Sequence, residues 1–384
     1  MNEKKKLAII GSGRMAWIIG QHAHNLGIET HCFSNVTTSY IKEAIDVFYN
    51  ISIFDKDDIV NICKSAGIRG VIATTELTIE VASYVAKELS LPGIPLSIAS
   101  VITDKYRNRV ACIDLPNLCQ PRFAEICKEE EIYDIDFSFP VIVKPTSKGG
   151  KHGIAVVNNN TELIDAFRYA KVASGINPVI IEEFLDGGNE YSVESLSCNG
   201  NHFIIQITEK ISSGPPHCVE LGHRQPAVLT DDLRKRVIAA VSEGLIAIGI
   251  DNSSCHTEIK IIDNKIYLIE FNARPGGDHI AWPLTKLSTG YDYIDGAINI
   301  ALASFTGVDY SKFENKHAGV FFVTKQTAFL KPIFDKCEQY FWLYKKNCIT
   351  EELLSLEHND CYGTNSMIYW VDEKDYPIKE LLIK

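Results

Sequence analysis

Apolar residues recur along this chain in short blocks, punctuated by Gly, Pro, Asn and Asp. The block 7–10 is uniformly apolar, as in a strand buried on both faces. Gly11-Ser12-Gly13-Arg14-Met15-Ala16 follows and opens a helix predicted to run to about 25. Blocks 28–33 and 68–73 read as strands, with a helix over 55–66 between them. This alternation implies a parallel sheet flanked by helices. The Pro/Gly-rich stretch 91–95 marks a first boundary.

Beyond residue 100 the pattern changes. A strand over 140–145 leads into a loop rich in Gly and Lys, then a helix over 161–173 and strands over 179–184 and 190–198. An amphipathic helix over 231–248 precedes an acidic hairpin, and candidate strands 320–323 and 367–371 suggest a β-rich cap. The expected class is α/β, with α+β character in the second unit. The expected units are 1–98, 99–205, 206–315 and 316–384.

The hairpin carries the most chemistry. Residues 259–262 and 266–271 read as two strands, and Asp263-Asn264-Lys265 as a three-residue turn. Ile262 then pairs with Ile266, and Glu258 falls opposite Glu270. Asn272 lies on the same face, because side chains alternate with period two. Facing carboxylates repel, and a divalent cation removes that penalty. Two carboxylates and an amide oxygen make a hard donor set suited to Mg²⁺. The alternative is a solvated acidic hairpin.

Three further segments stand out. Lys144-Pro-Thr-Ser147-Lys-Gly149-Gly150-Lys-His-Gly follows an apolar strand; its glycines let backbone N–H groups approach phosphate, and its lysines add charge. The alternative is a basic surface turn. Ile181-Glu182-Glu183-Phe184-Leu185 offers carboxylates and backbone groups to an adenine edge, and Glu190 a carboxylate to ribose hydroxyls; ordinary strand-end acids are the competing reading. The loop around His223 and Arg224 offers both side chains to a substrate carboxylate. His217, Cys218 and His223 match no zinc spacing, and His22, His24 and His256 read as surface or core residues.

Composition narrows the function. A net charge of −11 over 384 residues argues against nucleic acid. Eleven cysteines without a Cys-x-x-Cys pair suit a reducing cytosol, no run is long enough for a membrane span, and the apolar block after the N-terminal lysines is too short for a signal core. A cytoplasmic location is expected. Gly11-x-Gly13-x-x-Ala16 fits a dinucleotide fingerprint, but the second strand ends His31-Cys-Phe-Ser-Asn35 without the acid that holds a ribose. The glycines therefore read as a tight strand-to-helix turn, and an NAD-dependent reductase is disfavoured.

A strand-end lysine, a Gly-rich loop, Glu-Glu-x-Leu, Glu190, then Glu258 and Glu270-x-Asn272-x-Arg274 occur in an order that resembles the ATP-grasp superfamily, shared by biotin carboxylase and the carbamoyl phosphate synthetase large chain. The resemblance covers about 7–310. It implies an ATP-grasp fold: a Rossmann-like domain, a mobile lid and a core clamping ATP. It also implies Lys105, Lys144, Ser147, Gly149, Gly150, Glu182, Glu183, Leu185 and Glu190 at ATP, with Glu258, Glu270 and Asn272 on Mg²⁺ or a substituting Mn²⁺. Arg274 resembles the catalytic arginine. Lys151 and His152 depart from the commoner Gly-Ser-Gly loop ending.

Asn272-Ala-Arg-Pro-Gly-Gly-Asp278 and the Glu-Leu-Gly-His loop look most like L-amino acid ligases. The implied reaction joins a carboxylate to an amine through an acylphosphate, releasing ADP and phosphate. Asp278 is then a candidate for a substrate ammonium, and His223 or Arg224 for a carboxylate. A bicarbonate-dependent carboxylase and a non-catalytic ATP-binding module are the rivals. Small-molecule substrates and a homodimer are expected partners.

Overall fold

The computed structural model describes residues 4–147, 149, 152–215, 218–359 and 361–381. Four parallel strands, β1 (Lys6–Ile10), β2 (Glu29–Phe33), β3 (Val47–Tyr49) and β4 (Gly70–Ala73), form the first sheet in the order β3-β2-β1-β4. β1 is buried on both faces, which explains its unbroken apolar run. Ala8 and Ile10 pack toward α2 (Lys56–Ala66) and α3 (Glu76–Glu88). Leu7 and Ile9 pack toward α1 (Arg14–Asn25) on the other face. Gly11 makes the turn at φ +101°, and a Cβ there would lie 2.4 Å from Thr74 Oγ1.

Helices α4 (Leu96–Ile102) and α5 (Lys105–Ala111) carry the chain to the second sheet. Asp104 caps α5 by accepting from Arg107 N. β5 (Phe123–Ile126), β6 (Val141–Pro145), β7 (Ala155–Val157) and β8 (Val179–Glu183) pair antiparallel in the order β5-β8-β6-β7. Helix α6 (Asn160–Ser174), capped by Asn159, covers this sheet and gives it a separate core around Val143, Phe167 and Ile181.

The third sheet has eight antiparallel strands: β9 (Asn189–Cys198), β10 (Asn201–Ser212), β11 (Glu220–Gln225), β12 (Ser253–Ile262), β13 (Lys265–Asn272), β14 (Lys316–Val323), β15 (Leu343–Asn347) and β16 (Asn365–Asp372). Their order is β13-β12-β9-β10-β11-β14-β16-β15. Helices α7 (Asp231–Ile248), α8 (Thr285–Thr289), α9 (Tyr293–Ala301) and α10 (Lys331–Lys336) complete the chain.

One expected boundary moves. Residue 205 falls inside β10, and β9 pairs with β12 and β10 rather than with β8, so sheet membership changes between Glu183 and Asn189. The β-rich segment after 316 has a core of its own around Phe334, Trp342 and Met367, but it is joined to the large sheet. β14 pairs with β11, with Gly222 opposite Phe321, and extends the same sheet. Among the described residues, no helix is long and apolar enough to cross a membrane.

The hairpin also departs from expectation. Its turn is Asp263–Asn264, both at positive φ, so Ile262 pairs with Lys265 and Ile261 with Ile266. A bulge then shifts the register between Ile259 and Glu258, and Glu258 pairs with Glu270 after all.

Candidate active site

The three sheets converge on a cavity of about 400 Å³. β6 and β8 line it from one side, β12 and β13 from the other, and the first turns of α1 and α3 close one end. Of the residues singled out from sequence, Lys105, Lys144, Gly149, Glu182, Glu183, Leu185, Glu190, Glu258, Glu270, Arg274 and Asp278 all line it.

Glu182 is buried, and its carboxylate receives Lys144 Nζ and Arg109 Nε, each at 2.6 Å. Burial raises its pKa, but the two cations outweigh burial and hold it at about 2. Glu182 is therefore an ionised anchor that aims Lys144 at the cavity. Glu183, half-buried, meets Arg122 at 3.3 Å. Lys260 on β12 donates to Leu185 O at 2.6 Å and lies over the Phe184 ring, tying the 183–185 segment to the large sheet.

The two hairpin carboxylates are each set against cations. Lys105 Nζ lies 3.2 Å from Glu270, and Lys210 Nζ lies 2.9 Å from Glu258. Asn272 is buried beside them, donating to Glu270 at 2.9 Å. Burial would raise the pKa of Glu258, yet Lys210 and His256 carry it well below the usual carboxylate range. These cations supply the positive charge that a facing acid pair requires. Two carboxylates with an adjoining amide fit a hard divalent cation.

Sequence reading missed what supports this pair. His256 Nδ1 lies 2.5 Å from Glu194 on β9, and its Nε2 lies 3.2 Å from Glu258. Burial would lower the imidazole pKa, but Glu194 and Glu258 hold it at about 9. Gly276 N–H donates to the same Glu194 at 3.2 Å. Arg274 ion-pairs with Glu76 at the start of α3. The His256–Glu194 link joins adjacent strands distant in sequence, so only the period-two alternation of β9 and β12 hinted at it.

At the far end, Lys210 also meets Glu220 at 2.7 Å. Glu220, Asp278 and Cys361 cluster there, and Asn359 and Tyr362 complete the wall, so the C-terminal segment contributes to the cavity. Burial and the Glu220 charge push the Asp278 carboxyl up to about 6.

Three expected contributors lie elsewhere. Arg224 forms a two-pronged pair with Glu209, at 2.6 and 2.9 Å, away from the cavity. His223 is fully buried behind Glu220, 3.1 Å from it. Adjacent strand residues point to opposite faces, so the two cannot serve one site. Ser147 accepts from Asn177 Nδ2 at 2.8 Å and does not line the cavity. Gly150 is outside the described residues.

A family model described as an ATP-grasp domain matches residues 137–282, spanning the second sheet and the hairpin with Arg274. These residues are an ATP-grasp domain. The ATP-grasp fold extends over the whole chain: the L-amino acid ligase from Bacillus licheniformis superposes with a TM-score of 0.80 at 22% identity, over 96% of this chain and 94% of that one. The carbamoyl phosphate synthase large chain of Methanocorpusculum labreanum is 25% identical over 83% of this chain and 32% of its own length. The alanine–anticapsin ligase of Bacillus amyloliquefaciens is 22% identical over 54% of this chain and 48% of its own. The chain thus spans about a third to a half of the length of these two relatives.

Proposed function

We propose that this protein is an ATP-dependent carboxylate–amine ligase that joins amino acids through an acylphosphate and releases ADP and phosphate. The observation that carries this reading is the convergence of Glu258, Glu270, Arg274 and Lys144 on one cavity. A protein that only bound nucleotide would need no cation like Arg274, held by Glu76, beside a paired-acid metal site.

Each side chain has a role in this scheme. Lys144, fixed by Glu182, and Lys105 neutralise ATP phosphates, and Gly149 brings backbone close to them. The 183–185 segment receives the adenine edge and Glu190 the ribose. Glu258, Glu270 and Asn272 would hold Mg²⁺ or Mn²⁺, which would supply charge neutralisation at the transferred phosphoryl group. The substrate carboxylate oxygen attacks the γ-phosphorus, and ADP leaves with the bridging oxygen. A neutral amine nitrogen then attacks the acyl carbon, and phosphate leaves, taking up the proton that the nitrogen gives up. Arg274 stays protonated throughout and offers planar donors to the phosphoryl group and to the tetrahedral oxyanion. Closure of the second sheet over the cavity excludes water from a hydrolysable intermediate. The similarity to the alanine–anticapsin and L-amino acid ligases supports amino acids as substrates.

A phosphate-release screen across amino acid pairs and bicarbonate, with mass spectrometry of products, tests the scheme. Amino-acid-dependent ADP and a dipeptide mass are expected. Release of AMP and pyrophosphate overturns the acylphosphate route. Release driven by bicarbonate alone transfers the site to a carboxylase.

A further inference from the structure

Glu76 has no part in this scheme beyond holding Arg274, yet its carboxylate stands where the three sheets' units meet. It is the first residue of α3, in the unit of the first sheet. It ion-pairs with Arg274, which follows β13 of the third sheet. On its other side lies Gly149, just beyond β6 of the second sheet. A Cβ added to Gly149 would lie 2.9 Å from Glu76 Cδ and 3.0 and 3.2 Å from its oxygens, so the contact needs a glycine. A favourable charge at a helix N-terminus explains an acid at this position. It does not explain a carboxylate turned onto a glycine of one unit and an arginine of another. The pairing is also incomplete. Arg274 Nη2 donates to Glu76 Oε1, and Nη1 donates to the Pro275 carbonyl at 2.9 Å. Arg274 Nε–H is buried and has no hydrogen-bond partner among the described residues. The guanidinium edge that presents Nε and Nη2 suits an anion with two oxygens side by side, and Glu76 fills one of those places.

We infer that the Glu76 carboxylate competes with the transferred phosphoryl group of ATP for one place, the gap between Gly149 and Arg274. This rests on the ATP-dependent part of the proposed function, not on which carboxylate or amine is joined. The phosphoryl group brings several oxygens and takes both Nε–H and Nη2–H, where Glu76 takes one. The Glu76 side chain is 28% exposed, so it can turn out to water as that group arrives. ADP lacks the group and leaves the contact intact. A competitor for the same donors lowers apparent affinity by the fraction of molecules in which the place is open. Glu76 is thus a positioning residue. It aims Arg274 before ATP binds, sets how much the γ-phosphate adds to affinity, and lets go of the other two units when Arg274 is engaged.

Calorimetry with Mg²⁺ and either ADP or a non-hydrolysable ATP analogue tests this on wild-type protein and on Glu76→Gln. That variant keeps the size of the side chain and removes its charge. It should bind the analogue about tenfold more tightly than wild type, and ADP within about twofold. Unchanged or weaker analogue binding overturns the proposal, because a side chain that only propped up Arg274 would give that result. An equal gain for both nucleotides overturns it too. If the variant does not fold, crystals of the wild-type protein decide. With Mg²⁺ and the analogue, Arg274 should leave Glu76 for the γ-phosphate, and with Mg²⁺ and ADP the pair should persist. A pair that persists in both overturns the proposal. Each of these outcomes leaves nucleotide binding standing. Failure of the wild type to bind either nucleotide instead removes the ATP-dependent reading, and this inference with it.

Discussion

Glu258 faces Glu270 across the β12–β13 ladder although the turn joining the strands is one residue shorter than the sequence suggests. The bulge restores the register that the turn displaced. Replacing Glu270 with Ala removes half of the facing pair and leaves Lys105 without its 3.2 Å partner. ATP turnover should fall by about 10²–10³-fold, the scale of losing an electrostatic transition-state contact, with the circular dichroism spectrum unchanged. Turnover above a tenth of wild type at saturating Mg²⁺ would remove Glu270 from the metal site.

Arg109 should matter for stability before it matters for catalysis. It is 1% exposed and joins Glu182 on β8, Gln120 and the Leu268 carbonyl on β13. Arg109→Met leaves Glu182 buried with only Lys144. Breaking a buried pair on one side costs about 3–5 kcal/mol, which urea denaturation should register as a lower midpoint. A change under about 1 kcal/mol would show that Lys144 alone compensates Glu182.

The two glycines of Arg274-Pro-Gly-Gly are not equivalent. A Cβ on Gly276 would sit 2.6 Å from His256 Nδ1 and 2.9 Å from the Glu194 carboxylate, whereas one on Gly277 meets nothing within 4 Å. Gly276→Ala should separate His256 from Glu194 and cost about 1–3 kcal/mol, with loss of ATP turnover. Gly277→Ala should unfold within about 0.5 kcal/mol of wild type. Equal thermal stability for the two variants would contradict the packing described.

A pH effect is expected at the seam between α1 and α9. His22 Nδ1 lies 2.8 Å from Asp295 and 3.2 Å from Asp292. Burial would lower its pKa, but the aspartates raise it to about 9. Since the folded value exceeds the unfolded 6.5, this contribution is complete below pH 6.5 and disappears as pH rises through 9. Melting temperature should fall across that window more for wild type than for His22→Asn. The difference between the two cancels His256, which titrates nearby. Parallel curves would show that the clasp adds nothing.

Local patterns carried much of this into the sequence. Period-two alternation around a polar turn exposed Glu258, Glu270 and Asn272, and the strand before the Gly/Lys loop exposed Lys144. Contacts between segments far apart in sequence left no such trace. Lys210 meets Glu220 across β10 and β11, His256 meets Glu194 across β12 and β9, and Arg14 reaches the cavity from the start of α1. The bulge was hidden because Tyr267, Leu268 and Ile269 would suit an unbroken strand equally well. Arg224 was misplaced for a different reason. Its neighbour His223 already points to the Glu220 side, and alternation forbids both.

The single ladder from β13 to β15 has a consequence for any shortened version of this chain. Ending it before Lys316 would strip β11 of its outer neighbour and bare a row of N–H and C=O groups ready to adhere to another copy. It would also take away Asn359 and Tyr362, opening the chamber to bulk solvent. A fragment trimmed to the matched residues would thus trade a walled reaction chamber for an aggregating half-shell.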